Sequence, residues 1–125
     1  MKLLIAGSRS IADFDISPYI PADTDLIISG GASGVDFLAE EYADKKKISK
    51  LILRPRYDLY RRAAPLKRND RMVELCDKIL IFWDGLSKGT KHTIDYANKT
   101  GKPIEVIILS INSQQKNKSI DEQCS

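Results

Sequence analysis

Five short apolar runs punctuate the chain, and helically spaced apolar positions separate the later ones. Lys2 to Ala6, Asp25 to Ser29, Lys50 to Leu53, Lys78 to Trp83 and Ile104 to Leu109 read as strands. Val35, Leu38, Ala39 and Tyr42 fall at i, i+3, i+4 and i+7, one face of a helix. Pro65 opens a second helix, because a first-turn proline loses no intrahelical hydrogen bond; its apolar stripe is Met72, Val73 and Cys76. Thr90 to Lys99 reads as a third, with Ile94 and Ala97 inward and Gly101 just past its end. Strands alternating with helices predict one α/β domain over residues 1–111, a three-layer α/β/α arrangement around a mostly parallel five-stranded sheet. Residues 112–125, rich in Ser, Asn, Gln and Lys, read as a flexible polar tail.

Composition narrows the class. The chain has 125 residues, 42% apolar and 30% charged, values of a globular protein. At this size one core buries roughly two thirds of the unfolded surface, so neither disulfide nor metal is needed for stability. No apolar run approaches the roughly 20 residues of a membrane span. Gly7-Ser8-Arg9 stops the first run short of the roughly 7 to 15 residues of a signal-peptide core, so a cytoplasmic location is expected. Cys76 and Cys124 have no metal or redox spacing and are expected as free thiols.

Charge changes the picture once it is divided. The net +3 is nearly featureless, yet 11 of the 20 basic residues lie between Lys45 and Arg71 beside only two acids, Asp58 and Asp70. That segment is +9; the rest, with nine bases and 15 acids, is −6. An anionic partner near the basic stretch follows. Lys45, Lys46, Lys47 and Lys50 read as a solvated helix end that complements the helix dipole.

In parallel sheets ligands bind beyond the carboxyl ends of the strands. The residues there are Gly7-Ser8-Arg9-Ser10 after the first strand, Ser29-Gly30-Gly31-Ala32-Ser33-Gly34-Val35-Asp36 after the second, and Asp84-Gly85-Leu86-Ser87-Lys88-Gly89-Thr90 after the fourth. The last two pass through glycines into a helix, a geometry that lets backbone N–H groups approach an anion. Neither matches a dinucleotide G-x-G-x-x-G or a Walker A loop, so dehydrogenase or ATPase chemistry is not implied. Arg68 and Asn69 fall in the first turns of the second helix; Arg68 suits bidentate pairing with phosphate, and Asn69 shares the inward stripe. Asp36 reads either as a capping carboxylate or as a partner for ribose hydroxyls, and Trp83 as core whose indole edge flanks a base. The single histidine, His92, reads as surface, and the serines lack a base and orienter.

Four ordered blocks carry a resemblance: Gly7-Ser8-Arg9; Ile28-Ser29-Gly30-Gly31-Ala32-x-Gly34-Val35-Asp36-x-Leu38-Ala39; Ala63-Ala64 with Arg68-Asn69-x-x-Met72; and Phe82-Trp83-Asp84-Gly85-x-Ser87-x-Gly89-Thr90-x-His92-x-Ile94-x-x-Ala97. Together they resemble the YspA/cpYpsA-related branch of the SLOG superfamily, which is similar to the Smf/DprA proteins and the LOG phosphoribohydrolases. The resemblance implies a Rossmann-like fold and a nucleotide-derived ligand at the glycine loops. It also shows departures. Arg61-Arg62 stands where Gly-Lys is usual and Pro65 where glycine is common, implying a more basic or reshaped pocket wall. Thr93 occupies the position of the LOG glutamate and Ser87 that of a loop glycine; a threonine cannot supply a catalytic carboxylate.

The expected function is therefore binding of a phosphorylated nucleoside or nucleotide derivative, such as ADP-ribose, an NAD-derived molecule or a nucleoside monophosphate. The expected site is Gly7, Ser8, Arg9, Ser29, Gly30, Gly31, Ala32, Gly34, Asp36, Arg68, Asn69, Trp83, Asp84, Ser87, Gly89 and Thr90, with no required cofactor, no metal and no assigned catalytic residue. The alternatives are N-glycosidic hydrolysis of a nucleoside phosphate, with Asp36, Asp84 or Asp95 as carboxylate, and single-stranded nucleic-acid binding through Tyr57 and Tyr60 among Arg54, Arg56, Arg61 and Arg62. A homo-oligomer without membrane contact is the expected assembly.

Overall fold

A computed structural model describes residues 1–109. The expected tail at 112–125, with Cys124, lies outside the described residues. Five strands, β1 (Lys2–Gly7), β2 (Leu26–Ser29), β3 (Ser49–Ile52), β4 (Lys78–Trp83) and β5 (Ile104–Ile108), form one sheet in the order β3-β2-β1-β4-β5, and every neighbouring pair is parallel. Four helices accompany them: α1 (Val35–Lys46), the single turn α2 (Tyr57–Tyr60), α3 (Ala64–Leu75) and α4 (Lys88–Thr100). This is the expected α/β architecture, consistent with a Rossmann-like domain.

Alternation along the strands divides the core into two layers. Leu3, Ile5, Ile27, Leu80 and Phe82 face Val35, Ala39 and Ala43 of α1. Leu4, Ala6, Ile28, Ile79 and Ile81 face Met72 and Val73 of α3 and Ala97 of α4. A near-continuous apolar strand is what a sheet covered on both sides requires. The β1–β2 connection is not helical apart from a 3-10 turn at Ser17–Tyr19. It closes its part of the α1 layer with Ile11 and Ile16, while Phe14 and Tyr19 pack on Phe82 at ring separations of 5.7 and 5.4 Å.

Local chemistry sets the ends of the elements. Ser87 is the N-cap residue of α4, whose first residue, Lys88, lies two before the expected start, and Gly101 ends that helix with φ 76°. Cys76 is extended, at φ −91° and ψ 167°, so the stripe Met72, Val73, Cys76 runs one residue past the last turn of α3 while its thiol stays buried and free. Pro65 sits within the first turn of α3, as its missing N–H allows.

Strand order reverses at β1, whose connections leave toward β2 on one side while β4 flanks it on the other. The carboxyl ends of β1 and β4 therefore frame a topological switch point, the place where such sheets open a crevice. No helix among the described residues is long and apolar enough to cross a membrane.

Candidate functional site

A cleft of about 340 Å³ opens at this switch point. From the first loop it is lined by Gly7, Ser8 and Arg9; from the second by Ala32 and Asp36; from α3 by Arg68 and Asn69; and from the fourth-strand loop by Asp84, Ser87, Gly89 and Thr90. Ser29, Gly30, Gly31, Gly34 and Trp83 do not line it. Six further residues do: Ala6, Ser10, Pro65, Leu66, Met72 and Thr93. Arg61 and Arg62, expected as a basic pocket wall, are exposed and line no part of this cleft. Pro65 is the only one of the departures in that stretch to reach it.

The five expected residues outside the cleft build its walls. Gly34, at φ 74°, lets α1 start against the first loop: a Cβ there would lie 2.6 Å from Arg9 Cα and from the Ser8 carbonyl oxygen. Gly30 and Gly31 leave room for guanidinium groups, since a Cβ would lie 2.5 Å from Arg68 Nη1 or Arg54 Nη1 respectively. Those arginines bond the loop carbonyls, Arg68 Nη1 to Gly30 O at 2.6 Å and Arg54 Nη1 to Gly31 O at 3.1 Å. The Ser29 hydroxyl accepts the Gly31 N–H at 3.4 Å. Trp83 donates its indole N–H to Ser87 O at 3.1 Å, which braces the fourth-strand loop.

The fourth-strand loop is tied by Asp84. Its Oδ1 accepts the N–H groups of Leu86 and Ser87 at 2.8 and 2.9 Å, and its Oδ2 the Ser10 hydroxyl at 2.9 Å. Burial pushes this carboxyl upward, but the Leu86 and Ser87 N–H groups and the Ser10 and Ser8 hydroxyls outweigh it, and the pKa falls to about 2. Asp84 is thus an ionised anchor at neutral pH. Buried Ser8 continues the network: its Oγ accepts the Asp84 N–H at 2.9 Å and lies 3.1 Å from Ser87 Oγ, which donates to Thr90 Oγ1 at 2.9 Å. Ser87 does not cap α4 with its side chain, so the first-turn N–H groups of that helix have neither an intrahelical nor a capping acceptor.

Asp36 has the opposite environment. It is 7% exposed, and its Oδ2 accepts the Ala32 N–H at 3.1 Å. Burial raises its pKa, against the lowering effect of that hydrogen bond and of the Arg68 and Arg9 charges; Glu40 adds to the rise. It therefore grips the glycine loop four residues upstream. Arg68, half-buried, donates from Nη1 also to Leu53 O at 3.1 Å and from Nε to Asn69 Oδ1 at 2.8 Å, while Asn69 reaches Gly89 O at 3.5 Å. By contrast the Arg9 side chain is within hydrogen-bond or 4 Å ion-pair distance of no described partner and acts on Asp36 and Arg68 through its charge alone. It is the cleft cation that no hydrogen bond ties down, although its charge acts on Asp36.

Thr93, at the position of the LOG glutamate, is 2% exposed and donates to Gly89 O at 3.2 Å, an ordinary helix back-bond. His92, read from sequence as surface, lies 2.7 Å from Asp70 Oδ1 and joins α4 to α3. Only the i, i+22 separation links these two residues, which no local pattern reports. No group of histidine, cysteine and acidic side chains suited to a metal ion occurs among the described residues.

No protein-family model, curated protein or solved structure matches this chain.

Proposed function

We propose that the cleft binds a phosphorylated nucleoside or nucleotide-derived ligand, with a phosphoryl group between the first turn of α4 and Arg9. One observation carries this reading: the first turn of α4, without a side-chain cap, and the Arg9 guanidinium, tied by no hydrogen bond, line one cleft at the switch point of a parallel sheet. Open space at Gly89, where a Cβ would meet nothing within 4 Å, lets a ligand approach the backbone there. The loop blocks that resemble the SLOG superfamily point the same way. Binding without turnover is favoured over N-glycosidic hydrolysis, because Thr93 has no carboxylate and Asp84 is committed to three donors.

The test is native mass spectrometry of the full chain with nucleoside monophosphates, ADP-ribose, NAD, cyclic nucleotides and a short oligonucleotide, together with a search for released base. Retention of an intact small nucleotide, lost in Arg9→Ala and Gly89→Val, is the expected result. Released base establishes hydrolysis instead. Exclusive retention of the oligonucleotide favours the basic groove beside α2 and α3, where Arg54, Lys67 and exposed Tyr60 lie.

A further inference from the structure

The two glycine loops, similar in sequence, are unequal in the fold. At the α1 end three N–H groups already have acceptors: Gly31 on Ser29 Oγ at 3.4 Å, Ala32 on Asp36 Oδ2 at 3.1 Å and Val35 on Ser8 O at 3.4 Å. A buried carboxylate, Asp36, occupies the first turn of α1, the position where an anion would otherwise gain from the helix dipole. Arg68 stands close by, as the space around Gly30 shows: a Cβ there would lie 2.5 Å from Arg68 Nη1 and 3.0 Å from Asp36 Oδ2. Its Nη1 and Nε are fixed on Gly30 O, Leu53 O and Asn69 Oδ1, so this cation is held by the protein and offset by Asp36.

Counting charges across the cleft gives Arg9 and Arg68 against Asp36 and Asp84, a balance of zero when both acids are ionised. A pyrophosphate is favoured by the reverse, several free N–H donors or a cationic excess. One phosphoryl group finds the first-turn N–H donors of α4 and, in the same cleft, the Arg9 guanidinium, which no hydrogen bond ties down. A second, confined to a cleft of about 340 Å³, meets the Asp36 carboxylate at close range in a partly desolvated setting, where like charges repel strongly. A ligand hydroxyl in the same place can donate to that carboxylate.

We propose that Asp36 is a specificity-determining residue that limits the cleft to ligands carrying a single phosphoryl group. This rests on the nucleotide reading above, and it narrows that reading from nucleotide derivatives in general to monophosphates with a hydroxylated body.

Calorimetric titration of the full chain at fixed ionic strength, with the four common ribonucleoside monophosphates and their diphosphates, tests it. Wild type should bind at least one monophosphate about tenfold or more tighter than its diphosphate, the scale of one added like-charge contact. Asp36→Asn should bring the pair within about threefold through a gain in diphosphate affinity, since the repulsive element is what the substitution removes. Equal or tighter diphosphate binding by wild type overturns the proposal, and this arm needs no variant. A variant that weakens both ligands equally also overturns it, because Asp36 then only holds the loop; Asp36→Ser repeats the measurement should Asn fail to fold. If wild type binds neither class, the nucleotide reading itself falls and the selectivity with it.

Discussion

Gly34→Ala and Gly89→Ala place the same methyl group at two glycines of the candidate site, and the structure gives them opposite signs. At Gly34 the backbone has φ 74°, and the new Cβ would lie 2.6 Å from Arg9 Cα, Arg9 O and Ser8 O, all backbone atoms of the first loop. Holding an L-residue at this positive φ, with ψ −128°, alone costs about 1–2 kcal/mol, and relieving an overpacked contact about 1–3 more. A loss of roughly 2–5 kcal/mol follows. At Gly89 nothing lies within 4 Å and the residue is helical, so alanine there is neutral or stabilises by up to about 1 kcal/mol through the unfolded chain. Urea denaturation followed by circular dichroism reads both, and a domain of this size shifts its midpoint by about 4 °C per kcal/mol in a thermal scan. The Gly34 variant should unfold roughly 8–20 °C earlier, the Gly89 variant at or slightly above wild type. A Gly34→Ala protein within about 1 kcal/mol of wild type would refute the close approach of the two loops. Because Gly89→Ala keeps the fold, loss of nucleotide retention in that variant reports the cleft alone.

Other consequences follow from the tied groups. Asp84, whose folded pKa is depressed to about 2, contributes stability above its unfolded pKa that is lost as pH falls through the folded value. The cost of Asp84→Asn, measured by urea midpoints, should therefore be full at pH 7 and fade between about pH 4 and pH 2. Asp36 has the opposite sign: its pKa is raised, so its contribution is fully present below the unfolded pKa and is lost as pH rises through the folded one. The stability of Asp36→Asn relative to wild type should accordingly increase from pH 4 to pH 7, and a difference that stays flat would show that Asp36 is not desolvated. Arg68→Met removes the donors to Gly30 O and Leu53 O and leaves Asp36 without its nearest compensating charge, a destabilisation of about 2–4 kcal/mol measurable in the same assay at pH 7.

The fold is legible because burial on both faces makes the central strands β1, β2 and β4 nearly continuous apolar runs, and the runs at 2–6, 78–83 and 104–109 differ from the observed strands by at most a residue at either end. The single-turn α2 and the 3-10 turn at Arg61–Ala63 have no apolar periodicity, because the exposed Tyr57, Leu59 and Tyr60 contribute no buried face. For the site, sequence pattern located the loops but not their occupancy. Gly30, Gly31 and Gly89 look alike on paper; only the fold shows that arginine side chains fill the space beside the first two and that the third faces open space. Strand-to-helix glycines thus report close approach in general, and what approaches them is decided by residues 20 to 40 positions away.

The +9 segment illustrates the same distinction for charge. Lys50 lies 2.9 Å from Asp44, Arg56 2.8 Å from Asp58 and Arg71 3.6 Å from Glu74, while Arg54 and Arg68 donate to backbone carbonyls. Lys67 stands 5.9 Å above the Tyr60 ring. A cation already bonded within the fold gains less from a ligand than a free one, because part of its interaction is exchanged rather than added. Arg9, outside the segment and next to only Ser8 and Ser10 in sequence, has no such bond. The cation best placed to hold an anion is therefore the one that charge density along the chain ranks low, and Arg9→Ala should weaken nucleotide retention more than charge removal at Arg56 or Arg71.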